Sequence, residues 1–510
     1  MQTVLILDFG SQYTQLIARR VRELGVYCEV APHGMDLRSL EAAKPVGIVL
    51  SGGPQSVFEP GAPHPDPGLL DLGVPVLGIC YGMQWMAHAL GGRVEPGDLR
   101  EYGPAEFRGS DRSPLFNRLP AMHPIWMSHG DRVVEVPPGF EASGSTPGVA
   151  VAAMEDASRR LFAIQFHPEV THTVRGRDIL RRFLFDVCGA AGDWTMGSFV
   201  EDACAAVRAK VGGERVLCAI SGGVDSAVMA LLLHRAVGDR LDLLFLDTGL
   251  LRKDEARQVE ELFAGRFRLK LRAVDASEAF LGALRGVSEP EAKRKAVGRT
   301  FVEVFEREAK ALGDIRFLAQ GTIYPDRIES AATSGTAQVI KSHHNVGGLP
   351  ERMRMEVVEP IRDLFKDEVR AVGRLLGLDE VFVRRHPFPG PGLAVRILGE
   401  VTPLDADLLR EADAIFLEEI ESAGLYDLVA QAFAVLLPVR TVGVMGDQRT
   451  YDRVVALRAV SSEDFMTADW FRFDHAFLAK VSSRIVNEVK GVNRVVYDLT
   501  SKPPGTIEWE

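Results

Sequence analysis

The sequence has 510 residues, of which 46% are hydrophobic and 25% charged, and a formal net charge of -11 at pH 7. That length predicts about three domains of an ordinary soluble globular protein. The acidic balance excludes nucleic acid as the main partner, because a face for a polyanion needs a visible basic excess. The five cysteines form no C-x-x-C pair, which predicts neither a zinc site nor a disulfide framework and fits a reducing cytoplasm. The first ten residues run straight into an apolar strand without the pattern of a secretory leader, and no apolar run is long enough to span a bilayer.

In chain order, Thr3–Asp8 reads as a strand, Gln12–Leu24 as an amphipathic helix, and Val26–Ala31 and Gly47–Leu50 as further strands. The alternation predicts a parallel α/β sheet. The strand Val74–Ile79 then meets Cys80-Tyr81-Gly82-Met83-Gln84 and a helix. Gly78-Ile79-Cys80-Tyr81-Gly82 has the spacing of a nucleophile elbow with cysteine in place of serine, which presents the sulfur at a helix N-terminus. A cysteine alone is equally well a small buried hydrophobe, as expected for Cys28, Cys188, Cys204 and Cys218. The strand Leu161–Phe166 argues for chemistry, because it ends in His167-Pro168-Glu169 and sets imidazole and carboxylate two residues apart on one side of an extended segment. Glu169 can then orient His167 while His167 takes the thiol proton.

Ser51-Gly52-Gly53-Pro54 closes another strand, and its N–H groups with that of Tyr81 offer an oxyanion hole, an ordinary loop being the bland alternative. Gln84 and Met127-Ser128-His129-Gly130-Asp131 are expected to hold the main-chain end of the substrate. Together GGP, GICYGMQ, MSHGD and FHPE resemble the class I glutamine amidotransferases over residues 1–191. The resemblance implies hydrolysis of glutamine through a thioester at Cys80, with release of ammonia.

Gly192–Gly197 reads as a linker and Ser198–Val211 as a helix opening a second unit. Strands are predicted at Arg215–Ile220, Leu241–Asp247, Phe267–Val274 and Ile315–Gln320, again doubly wound α/β. Between the first strand and the helix from Ala227 lies Ser221-Gly222-Gly223-Val224-Asp225-Ser226. Two glycines, two hydroxyls and a helix N-terminus make a phosphate cradle, without the lysine of the Walker form. The loop resembles the SGGxDS turn of the ATP pyrophosphatase (PP-loop) family, which implies cleavage of ATP between the α and β phosphates. Leu246, at the end of the next strand, is expected to meet the adenosine. Gly321–Ser330 carries two carboxylates after a strand end, and Lys341, in a Gly-rich stretch with His343-His344, is the candidate for the missing cation. Adjacent loop histidines are usually solvated, so no transition metal is expected. Mg²⁺ is expected with ATP, with Asp225 as a candidate ligand.

From His386 the chain reads as a stiff HPFPGPG loop, a strand Ala394–Leu398, and a helix from Pro403 capped by Thr402. Strands Arg440–Val444, Val454–Val460 and Arg494–Leu499 and a helix Asp474–Lys490 follow. They predict a small α/β unit over 386–510 whose apolar faces suit either homodimerisation or intramolecular packing. KRKxxG at Lys293–Gly298, GTIYPDRIES, IKSHHN, HPFPGPG, RTVGVMGD and KPPGTIEWE, in that order, resemble the glutamine-hydrolysing GMP synthetase family. The resemblance implies amidotransferase (1–191), ATP pyrophosphatase (192–385) and dimerisation and xanthylate-binding (386–510) domains. It implies glutamine, ATP and xanthosine 5′-phosphate as substrates, and xanthylate contacts at Arg294, Asp447, Lys502 and Glu508. Another PP-loop amide ligase such as NAD synthetase is the nearest rival, disfavoured by the C-terminal motifs. A nucleotide sensor without catalysis is a rival from another class, disfavoured by the intact Cys80, His167 and Glu169.

Overall fold

The computed structural model of the chain describes residues 2–332, 355–445, 448–462, 465 and 467–510. They form two compact units, Met1–Phe199 and Val200–Glu510.

The first unit is built on β1 (Thr3–Asp8), β2 (Tyr27–Pro32), β3 (Gly47–Leu50), β4 (Val76–Ile79), β5 (Arg93–Gly109), β6 (Met122–Glu135), β7 (Glu141–Ser145), β8 (Ala153–Asp156) and β9 (Leu161–Ile164). Their order in one sheet is β2-β1-β3-β4-β9-β8-β7-β5-β6. The half from β2 to β9 is parallel, as expected, and its strands β3, β4 and β9 are buried at every position. Burial on both faces is why these strands read as unbroken apolar runs. The other half is antiparallel and ends in the long β5–β6 pair, which the sequence reading did not foresee. Register matters most in the parallel half. Leu50 pairs with Gly78, and Ile79 with Ile164, so the turns after β3, β4 and β9 leave the sheet side by side at its carboxyl edge. Ligands of open α/β sheets bind at that edge.

The second unit contains β10 (Val216–Ile220), β11 (Leu241–Asp247), β12 (Leu271–Asp275), β13 (Phe317–Ala319) and β14 (Glu356–Val358), all parallel in the order β12-β11-β10-β13-β14. The strand order reverses at β10, so the crevice of the sheet opens where β10 runs into Ser221. A second sheet pairs β15 (Gln431–Met445) with β16 (Gln448–Ser461) antiparallel, and adds β17 (Asp469–Trp470) and, parallel to β16, β18 (Val492–Tyr497). One apolar core joins the two sheets: Leu244, Phe280 and Phe305 belong to the same cluster as Phe416, Leu436, Val455 and Ile485.

Two expected strands differ. Ala394–Leu398 is not a strand, because Gly392–Arg396 forms a 3₁₀ turn and only Ile397 bridges to Leu436. Gly392 has φ +63°, and a β-carbon there would lie 2.4 Å from the Leu250 carbonyl oxygen. That contact folds the backbone away from an extended path. The strand expected from Phe267 starts only at Leu271, because a wide helical turn over Glu261–Arg266 closes with Phe267 N–H donating to Leu262. Thr402 caps the helix Pro403–Ser422 as expected, its hydroxyl accepting from the Asp405 N–H. Among the described residues no helix is long and apolar enough to cross a membrane.

His386 lies in the stiff loop, stacked on Tyr426 with ring centroids 4.0 Å apart and its Nε2 3.1 Å from the Tyr426 carbonyl. Burial drives its pKa down from 6.5 to about 4, against the opposing Tyr426 bond. The unfolded chain binds this proton first, so the neutral ring's contribution is complete above about pH 6.5 and is lost as pH falls toward 4. By linkage the loss is about 3 kcal/mol. His386→Phe is therefore expected to flatten the fall in unfolding free energy between those pH values. A slope unchanged in denaturant titrations would contradict the assignment.

Candidate active sites

Cys80 occupies the turn between β4 and the helix Tyr81–Ala89 with φ 52° and ψ -105°, a conformation sterically disfavoured for a residue with a β-carbon. The turn is forced by close packing at its glycines. A β-carbon on Gly82 would lie 2.5 Å from the Leu50 carbonyl oxygen, and one on Gly78 would lie 2.8 Å from Gly82. Only glycine permits either approach. The sulfur, 3.5 Å from the Ser128 carbonyl and 3.7 Å from Gln165 Nε2, is thereby set at the head of the helix.

His167 and Glu169 meet it from the end of β9. His167 Nδ1 is 2.6 Å from Glu169 Oε1, and Tyr13 packs edge-on against the imidazole at 5.1 Å. Its backbone is pinned too, since Thr173 Oγ1 donates to the His167 carbonyl at 2.6 Å. Burial alone would lower the His167 pKa. The Glu169 carboxylate and the facing Cys80 outweigh it and hold the ring well above its ordinary value. A β-carbon on Gly52 would lie 3.1 Å from His167 Cε1 and 3.7 Å from Cys80 Cβ, so the Ser51–Gly53 turn borders both groups. Gly53 packs equally closely, on Phe9 and the Tyr81 ring. Gln84 Nε2 donates to the Asp131 carbonyl at 2.8 Å, and His129 Nδ1 approaches the same oxygen at 2.9 Å. Ser128, His129 and Gly130 thus share the wall with Gln84. Burial holds the His129 pKa below its ordinary value despite that bond. Cys80, His167, Glu169, Gly52, Gly53, Tyr81, Gln84, Ser128 and His129 lie within one cluster. Tyr13 and Gln165 belong to it as well, and neither carries a spacing signal.

In the second unit the Ser221–Ser226 turn follows β10 and Gly223 caps the helix Val224–Val237. Gly222 has φ +80°. Ser226 Oγ donates to the Gly223 carbonyl at 3.0 Å and accepts from the Ser221 N–H at 3.2 Å, which closes the loop on itself. Its first helical N–H groups have no carbonyls in the preceding turn to bond to, and the helix dipole adds positive potential there. Two cations not foreseen from sequence flank the loop. Lys366 Nζ lies 2.5 Å from Asp225 Oδ2, and Arg385 Nη1 donates to the Gly222 carbonyl at 2.9 Å. Val224 is buried, and the Leu246 side chain lies in the core rather than at the surface. Thr322 Oγ1 donates to Glu359 and Asp326 accepts from the Ile323 N–H, so Asp326 closes the start of its own helix. Lys341 and the adjacent histidines lie outside the described residues, as does Asp447.

Of the other expected xanthylate contacts, Arg294 and Glu508 come to the same stretch. Arg294 donates to the Glu510 carbonyl, and Glu508 accepts from Arg396 and Gln431. Lys502 turns to the Phe465 carbonyl at 2.7 Å.

A cysteine elbow with a strand-end His-x-Glu on a parallel sheet defines a glutamine amidotransferase unit. The family model described as glutamine amidotransferase class-I matches residues 5–187. The model described as GMP synthase C terminal domain matches residues 418–509. Over its full length the chain is 60% identical to the glutamine-hydrolysing GMP synthase of Thermomicrobium roseum, covering 100% of this chain and 96% of that protein. It is 58% identical to that of Phenylobacterium zucineum (99% and 98% covered) and 56% identical to that of Bradyrhizobium diazoefficiens (99% and 93%). The chain belongs to the glutamine-hydrolysing GMP synthases, and its activity is GMP synthesis with nitrogen taken from glutamine.

The raised His167 pKa fixes the sign of a pH effect. Pairing with Glu169 contributes stability that is complete below the ordinary imidazole value of about 6.5 and lost as pH rises through the folded value. The melting-temperature gap between the native protein and Glu169→Gln is expected to be widest near pH 6 and to narrow as pH is raised, and glutamine hydrolysis should fall by roughly 10²- to 10⁴-fold. A gap that widens with pH in calorimetry would overturn the pairing.

Proposed function

We propose that residues 1–191 hydrolyse glutamine and residues 192–510 spend ATP to aminate xanthosine 5′-phosphate. The Cys80 sulfur attacks the glutamine side-chain carbonyl carbon, with the oxyanion received by the N–H groups of Gly52, Gly53 and Tyr81. The C–N bond breaks, ammonia leaves with a proton from His167, and water cleaves the thioester to glutamate. Gln84, Ser128, His129 and Gly130 hold the amino-acid end. The observation that carries this reading is the cysteine in its forced turn beside a His167–Glu169 pair 2.6 Å apart.

In the second unit the oxygen on carbon 2 of xanthine attacks the α-phosphorus of ATP and pyrophosphate departs. Ammonia then adds at carbon 2 and AMP leaves with that oxygen. Activation is required because an amide-like oxygen is a poor leaving group. Ser221 to Ser226 cradle the phosphates, and Lys366 supplies the cation that the absence of a Walker lysine leaves wanting. Leu246 contributes only through its backbone, and Lys341 is proposed as a second cation for the phosphates. Mg²⁺ would be held by Asp225: its Oδ2 is taken by Lys366, but Oδ1 has no hydrogen-bond partner among the described residues. One carboxylate oxygen beside a phosphate loop suits an ion that keeps water and phosphate as its other ligands, and supplies charge neutralisation there. No three His, Cys, Asp or Glu side chains gather as a metal site among the described residues. Arg294, Asp447, Lys502 and Glu508 bind xanthylate, and residues 192–385 and 386–510 are functional modules of one compact unit. The five free cysteines support a cytoplasmic location.

Homodimerisation belongs to the same reading. Val442 and Tyr451 are cross-strand partners on β15 and β16, Val444 lies two residues along the same face, and all three are exposed. An apolar strip of this kind is the mark of an association surface.

Cys80→Ala is expected to abolish synthesis from glutamine and leave synthesis from ammonium salts largely intact, with AMP and pyrophosphate as the nucleotide products by chromatography. Equal loss of both activities, or release of ADP, would refute the division. Val442→Glu with Val444→Glu is expected to shift the mass measured by light scattering from dimer to monomer; an unchanged mass would remove the strip from the interface.

A further inference from the structure

Residues 508–510 are gripped by two cations that have no solvent-exposed side-chain surface. Lys293, on the helix Pro290–Ala311, is 0% exposed. Its Nζ donates to Glu510 Oε2 at 2.6 Å, to the Ile397 carbonyl at 2.6 Å and to the Ala394 carbonyl at 3.2 Å. All three ammonium protons are thereby used. Arg396, also 0% exposed, lies between the Phe388 and Phe433 rings, with its guanidinium carbon 4.9 Å and 4.1 Å from their centroids. It holds Glu508 with two parallel bonds, Nε to Oε2 at 3.1 Å and Nη2 to Oε1 at 2.8 Å. Gln431 Nε2 adds a third at 2.7 Å. Trp509, between the two carboxylates in sequence, donates its Nε1–H to Asp498 at 3.0 Å.

Stability alone is a weak reason for such pairs, because desolvating two charges offsets most of their attraction and apolar replacements of similar volume often do as well. What the pairs supply is position. A carboxylate accepts about four hydrogen bonds, and the Glu508 side chain accepts three, two from Arg396 and one from Gln431, and is still 21% exposed. It therefore offers one oriented lone pair to a donor arriving from solvent. Arg294 follows Lys293 on the helix and points to the Glu510 backbone carbonyl, so the Lys293–Glu510 pair fixes both the helix face that carries Arg294 and the segment that carries Glu508.

We propose that Lys293 and Arg396 are positioning residues for xanthylate, acting through Glu510 and Glu508 to hold Arg294 and the Glu508 carboxylate in fixed relation. This rests on the reading of Arg294 and Glu508 as xanthylate contacts. The bidentate Arg396 guanidinium sets the direction of the Glu508 carboxylate, and the three-bonded Lys293 ammonium anchors Glu510 two residues on, which a single mobile cation cannot do.

The test uses the full-length protein, with xanthylate binding measured by calorimetry and the Michaelis constants for xanthylate and ATP measured with ammonium as nitrogen source. Lys293→Met, Glu510→Gln and Arg396→Lys are each expected to weaken xanthylate about tenfold or more. The Michaelis constant for ATP and the turnover at saturating xanthylate should stay close to native. Arg396→Lys keeps the charge and loses the two parallel donors, so its failure to restore binding separates direction from charge. Where Lys293→Met does not fold, Lys293→Met with Glu510→Met leaves no lone buried charge and is expected to fold while binding xanthylate as weakly as Glu510→Gln. Native affinity in Arg294→Ala and Glu508→Ala would overturn the underlying assignment of the contacts. Weak binding in those two, with native affinity in the Lys293, Glu510 and Arg396 variants, would overturn the positioning role and leave the pairs as packing.

Discussion

The approach of Gly82 to Leu50, so near that a β-carbon would meet the carbonyl oxygen at 2.5 Å, is the constraint on which the first active site depends. Because the helix can start only there, Cys80 is driven into a left-handed turn and its sulfur is held at the helix end. The register of β3, β4 and β9 then brings the glycine turn and the His167 turn to the same edge without any further device. Chemistry at this edge is a consequence of backbone packing, with the side chains supplied by three separate turns.

The second unit obeys the same rule with different contents. Its reversal of strand order opens a crevice at the end of β10, and Ser226 folds the loop back on itself by accepting from the Ser221 N–H and donating to the Gly223 carbonyl. Arg385 donates to the Gly222 carbonyl and so brings a positive charge to the edge of the same loop. A sheet edge, a residue of positive φ, Cys80 in one and Gly222 in the other, and a helix N-terminus recur in both units, one presenting the proposed nucleophile and the other the proposed phosphate cradle.

Legibility from sequence followed the range of the interaction. Cys80, His167 and Glu169 could be read because each sits at a strand end with its own local spacing, and the Ser221–Ser226 loop because glycines and hydroxyls are consecutive. Lys366 could not, since it meets Asp225 from 141 positions away. Nor could Arg396, whose apolar neighbours made its segment look like a strand until the contact of Gly392 with Leu250 bent it. The β5–β6 pair escaped because Pro124 interrupts the run and His123 holds one of its buried positions. Leu246 was read from a strand end that faces the site, yet its side chain alternates inward to the core.

The core shared by the two sheets of residues 200–510 has a consequence for synthesis on the ribosome. The first unit completes its own sheet and can fold as soon as it has emerged. The strand β11 and the helices bearing Phe280 and Phe305 emerge next, but their apolar cover, Phe416, Val455, Val481 and Ile485, lies more than a hundred residues downstream. Over that interval the nascent chain carries an uncovered hydrophobic face. A slow stretch of translation after the second strand set would lengthen the exposure, and chaperone demand during translation should fall on this unit rather than on the amidotransferase.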